Sequence, residues 1–60
     1  MDIDKRIVLV LLHELGHPEN AAQADSELPE RFDPHQDRQL LEKYGLDPQQ
    51  VIARARADTA

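Results

Sequence analysis

The chain has 60 residues with 12 acids against 7 Lys and Arg, a formal net charge of −5, and no cysteine. That length builds one small domain, residues 1–60, whose core covers only ~60% of the unfolded surface. Disulfides and thiolate zinc sites are excluded, and the acidic balance argues against nucleic-acid phosphates and anionic membranes, which need clustered Lys and Arg.

With 40% hydrophobic residues in clear periodicity, the chain is expected to fold. Eight of the acids lie in residues 1–33, facing only Lys5, Arg6 and Arg31, whereas residues 34–60 are balanced. The one long apolar run, Ile7 to Leu12, is far short of the ~20 residues of a membrane span and lacks a signal-peptide cleavage site. A cytoplasmic protein with no membrane attachment is expected.

The patterning predicts an all-α fold, a compact bundle of four short helices at about 3–15, 18–27, 34–44 and 48–57. Asp2 is placed to cap the first, in which Ile3, Ile7, Leu11 and Leu15 recur every four residues and Val8 and Leu12 widen the stripe. Leu9 and Val10 carry the apolar surface most of the way round. A buried strand over Ile7–Leu12 is the rival reading, disfavoured because no second strand is visible to pair with it. Pro18 and Glu19 open the second helix, which runs through Ala21, Ala22 and Ala24 to Glu27; its small side chains permit close approach to the first. Leu28 and Phe32 should anchor the linker that follows.

The last two helices carry nearly complete terminal signals. Asp33-Pro34-His35-Gln36 sets a cap, a first-turn proline and a capping-box Gln in order. The third helix, with Leu40, Leu41 and Tyr44, stops at Gly45, where a left-handed residue lets Leu46 fold back on Leu41. Asp47-Pro48-Gln49-Gln50 repeats the start signal, and Leu46 with Val51 forms a hydrophobic staple. Val51, Ile52 and Ala55 should be buried, Arg54 and Arg56 exposed, and the end should fray near Asp58.

Three stretches raise functional readings. His13-Glu14-Leu15-Gly16-His17 spells the H-E-x-x-H of zinc metalloproteases, which works on an unbroken helix that puts both histidines on one face. Here Gly16 is a favoured helix stop and Pro18 disfavours helical backbone at His17, so the motif falls on a helix end. The G-x-x-H extension is absent; a third ligand would have to come from His35 or a distant carboxylate. No catalytic, metal or cofactor site is therefore expected, with an H-E-x-x-H zinc hydrolase as the remote alternative.

Arg38 to Val51 resembles the helix-turn-helix of DNA-binding repressors, in Gly45 at the turn and apolar Leu40, Tyr44, Leu46 and Val51 around it. The resemblance implies Gln49, Gln50 and Arg54 in a major groove, Gln being suited to adenine. Leu41 is bulky where that family wants a small residue, and Arg54 stands where it wants an apolar one. Leu12 to Ala22 is similar to the first corner of ubiquitin-associated domains, but Leu15-Gly16-His17 lacks the Met and aromatic of their binding loop. The chain as a whole resembles a group of short uncharacterised bacterial helical proteins, through Leu11–Gly16, Ala22-Gln23-Ala24 with Leu28-Pro29, and Leu40–Pro48. Those shared motifs imply a fold and no activity.

The function expected from the sequence is a non-catalytic interaction or regulatory module that meets a protein partner or a second copy of itself. The first helix is too apolar for so small a domain to cover, which makes Leu9, Val10 and Leu15 the candidate surface. DNA binding is the alternative.

Overall fold

Two left-handed glycines divide the chain into its helices. The computed structural model describes residues 2–59, so residues 1 and 60 of the expected domain lie outside the described part. In chain order the elements are β1 (Ile3–Asp4), α1 (Lys5–Glu14), α2 (Pro18–Glu27), β2 (Arg31–Phe32), α3 (Arg38–Lys43) and α4 (Pro48–Thr59). The architecture is all-α, apart from an antiparallel ribbon two residues long that pairs Ile3 with Phe32 and Asp4 with Arg31.

That ribbon corrects the expected start of the first helix. Ile3 is extended and buried, and the cap is Asp4 rather than Asp2: its carboxylate accepts the Arg6 N–H at 2.9 Å. The Lys5 N–H goes to the Glu30 carbonyl at 2.8 Å, so the ribbon also satisfies one of the unpaired donors of the helix start. Within α1 the buried face is Ile7, Val8 and Leu12, with Leu9 and Leu11 partly covered. The Ile3–Ile7–Leu11–Leu15 stripe is thus only half used for the core.

The third helix is shorter than expected. Residues 34–37 form turns and regular helix begins at Arg38. The start signal at Asp33 is nevertheless read by the backbone. Its carboxylate accepts the N–H groups of His35 at 2.8 Å and Gln36 at 3.3 Å, and the Asp37 N–H reaches the Asp33 carbonyl at 2.9 Å. A single capped turn forms there, and Pro34 is buried beneath it.

At the α3–α4 corner the expected contacts form. Gly45 has φ +82°, its N–H bonds the Glu42 carbonyl at 3.0 Å, and the Leu46 N–H reaches back to Leu41 at 2.8 Å, the hydrogen-bond pair of a Schellman stop. Asp47 then caps α4 through the Gln49 N–H at 2.8 Å, while the Gln50 side chain returns to the Asp47 N–H at 2.9 Å. Helix α4 continues to Thr59, beyond the expected end at 57.

One core joins all the elements: Ile3, Ile7, Val8, Leu12, Ala21, Ala24, Leu28, Phe32, Leu41, Tyr44, Leu46, Val51 and Ala55. The linker anchors Leu28 and Phe32 are buried in it, as are Val51 and Ala55 of α4; Ile52 is partly covered. Helix α1 lies at its centre and packs on α2, through Ala21 and Ala24, and on α4. The radius of gyration is 10.0 Å, close to the ~10 Å expected of a folded chain this long.

Candidate functional site

The H-E-x-x-H segment lies across the end of α1. Leu15 is the C-cap of α1, Gly16 has φ +81°, and His17 has left the helix at φ −120°, ψ 64°. The Gly16 N–H bonds the His13 carbonyl at 3.1 Å and the His17 N–H bonds Leu12 at 2.8 Å, a second Schellman stop. The His17 carbonyl in turn accepts from Ala21 at 3.1 Å, so the same residue caps α2. His13 therefore belongs to one helix and His17 to the start of another, both exposed. Among the described residues no three His, Asp or Glu side chains are placed to hold a metal ion. His35 is exposed in the turns before α3.

Glu14, the general base of the metalloprotease reading, is instead bonded to the Arg54 guanidinium, tying α1 to α4. That pair also bears on the helix-turn-helix reading. Of its three proposed base contacts, Arg54 is held by Glu14 and the Gln50 side chain is held by the Asp47 N–H. Gln49 alone is exposed without such an engagement of its side chain. The second helix of that corner also packs on α1.

The three residues proposed for an interaction surface separate. Val10 is 37% exposed and Leu15 46%, the two large hydrophobic side chains left most open. Leu9 is partly buried against the core. By the ~3.6-residue period Val10 and Leu15 point about 140° apart, so they are not one patch. Val10 lies on the outer face of α1, opposite Val8 and Leu12, whereas Leu15 sits over the α1–α2 corner, past the part of α1 that the core covers.

A polar cluster that the sequence did not announce ties α2 to the end of α3. The buried Tyr44 donates its hydroxyl to Glu27 Oε1 at 2.6 Å, and Lys43 Nζ lies 3.0 Å from Glu27 Oε2. Asn20 Nδ2 donates to the Tyr44 carbonyl at 3.1 Å. The Tyr44 hydroxyl, then Lys43, hold the Glu27 carboxyl below its ordinary range, and burial followed by the neighbouring Glu27 charge pushes the Tyr44 phenol up. At the same C-terminal end of α2, Lys5 Nζ bonds Asp25 through its carboxylate at 2.8 Å and its carbonyl at 3.1 Å. The signal for the Tyr44 contact was available in principle: a core tyrosine needs a partner for its hydroxyl.

One of several shallow concavities is a groove of about 270 Å³ between the ribbon, the start of α1 and the end of α4. Ile3, Ile7 and Ala55 line it, with Arg6 and Arg31 beside Asp2 and Asp58. Both signs of charge share its rim, so it selects no class of ligand. No helix among the described residues is long and apolar enough to cross a membrane. No protein-family model matches the chain, and no curated protein or solved structure matches it either.

Proposed function

We propose that the protein is a non-catalytic helical module, working in the cytoplasm by contact with another protein or a second copy of itself. Membership of the group of short bacterial helical proteins whose motifs it shares is part of the same proposal. The supporting observation is Val10, an aliphatic residue left 37% exposed on the outer face of the most apolar helix. Apart from Leu15 at the helix corner, the other large apolar side chains are buried or partly covered, and the histidines and carboxylates that suggested chemistry are separated by a helix end or engaged in holding helices together. Fully burying a Val or Leu stabilises by ~1.5–3 kcal/mol, so the exposed fractions of Val10 and Leu15 are each worth about 1 kcal/mol. A contact of that size is transient or needs a partner that supplies further area.

A photo-crosslinking residue at Val10 tests the reading, with the same group at exposed Gln39 on α3 as control. Crosslinks to a discrete protein, or to a second copy, are expected from position 10 and not from position 39. Equal, diffuse labelling from both would overturn the proposal. Val10→Asp should abolish the crosslinked species formed from a probe at neighbouring His13 without altering the circular dichroism spectrum.

A further inference from the structure

The outer face of α1 carries opposite charges set symmetrically about its exposed aliphatic residue. Arg6, Val10 and Glu14 are all exposed and recur every four positions, so they stack on one stripe ~6 Å apart along the helix. Arg6, which also lines the groove with Asp2 and Asp58, makes no ion pair among the described residues, and Glu14 offers its second carboxylate oxygen beside the Arg54 contact, its side chain 49% exposed.

We propose that a second copy of this chain docks on this stripe, the two α1 helices antiparallel about a two-fold axis beside Val10. The inference rests on the protein-contact reading above and names its partner. A two-fold axis makes the surface meet itself, residue for residue. With Val10 on the axis, Arg6 of each copy lies opposite Glu14 of the other, giving two ion pairs around a Val10–Val10 contact. A parallel arrangement would set Arg6 against Arg6 and Glu14 against Glu14. Charge complementarity therefore selects the antiparallel one. The face is small, ~15 Å long and ~10 Å wide, far below the ~800 Å² per partner of a stable interface. Association is accordingly weak, with a dissociation constant on the order of 1 mM. The net charge of −5 on each copy opposes it most at low ionic strength; at ~0.15 M salt the ~8 Å Debye length screens that repulsion more than the close pairs.

Sedimentation equilibrium up to ~2 mM chain in ~0.15 M salt measures the association. The test chains are Arg6→Glu and the double variant Glu14→Arg with Arg54→Glu, which reverses the α1–α4 ion pair rather than breaking it. Each alone sets like charges across the axis and is expected to associate about five- to tenfold more weakly than the parent. An equimolar mixture restores opposite charges at both pairs and is expected to associate as well as the parent chain. Unchanged circular dichroism confirms that each variant folds. If the parent associates but the variants match it, or if the mixture stays as weak as its components, the α1 geometry is wrong while self-association stands. A parent chain that is monomeric throughout removes the second copy as partner and leaves the crosslinking test of the broader reading to stand or fall alone.

Discussion

Replacing Gly16 or Gly45 by alanine isolates the backbone strain on which both helix corners depend. Each glycine has φ near +80°, and a Cβ built on either meets no atom within 4 Å. Steric clash with neighbours is thus removed from the account, and the cost is that of an L side chain in left-handed backbone, ~1–2 kcal/mol. The smaller conformational freedom of alanine in the unfolded chain offsets part of it, by ~0.4–1 kcal/mol. A net loss of about 1 kcal/mol is expected for Gly16→Ala and for Gly45→Ala, and about 2 kcal/mol for the pair if they act independently. A 60-residue domain has only ~3–9 kcal/mol in all, and 1 kcal/mol moves the melting midpoint by ~4–8 °C. Urea and thermal denaturation followed by circular dichroism measure this, with a constant urea dependence showing that only stability has changed. Asparagine, which tolerates left-handed backbone, should cost less than alanine at both positions, and valine more. An alanine variant as stable as the parent, or asparagine costing as much as valine, would refute the account of both corners.

Three further outcomes follow from the contacts. Asp47→Ala should destabilise by about 1 kcal/mol in urea denaturation, because it removes the side-chain acceptor from the start of α4. Glu27 and Asp33 have carboxyls lowered from their ordinary 4.5 and 3.8, Glu27 chiefly by the Tyr44 hydroxyl and Asp33 by the His35 N–H. Their stabilisation is present above those ordinary values and is lost as pH falls through the lower folded ones. The urea midpoint should therefore drop on the acid side, less steeply in Glu27→Gln. The Tyr44 phenol is raised from 10.0, so its contribution is present below that value and is lost as pH rises toward and through the folded one. Tyr44→Phe should flatten the alkaline fall, and an unchanged slope would contradict the burial of that hydroxyl. Zinc added at equimolar concentration should be lost on dialysis and leave the melting midpoint unchanged, which calorimetry with and without a chelator checks.

The corners were legible in the sequence because their causes are local. Gly45 with Leu46, and Asp47-Pro48-Gln49-Gln50, specify hydrogen bonds within six residues of each other, and each formed as written. The readings that went astray depended on partners distant in sequence. Asp2 and Asp4 are both competent caps, and what selects Asp4 is the pairing of Ile3 with Phe32, almost thirty residues away. Two-residue strands carry too little pattern to be seen in advance. Pro34 is a sound first-turn residue, yet turns replace the helix over residues 34–37 around a proline that is buried. Leu9, Val10 and Leu15, expected together at a surface, are spread apart for a related reason. An apolar girth says how much surface a helix must hide, but which part stays open is decided by where α2 and α4 lie.

The H-E-x-x-H segment shows why spacing in sequence is a weaker statement than spacing in space. Two histidines four apart share a helix face only if every intervening residue keeps helical backbone, and here one dihedral, the φ of +81° at Gly16, ends the helix between them. Restoring the helix would require more than removing that glycine. The His17 N–H already bonds Leu12, its carbonyl already starts α2, and Pro18 disfavours helical backbone at His17 whatever occupies position 16. Gly16→Ala should accordingly weaken the fold without creating a metal site. Zinc affinity measured by competition with a chromophoric chelator should stay as low in that variant as in the parent. A gain in affinity would mean that the glycine alone keeps the two imidazoles apart.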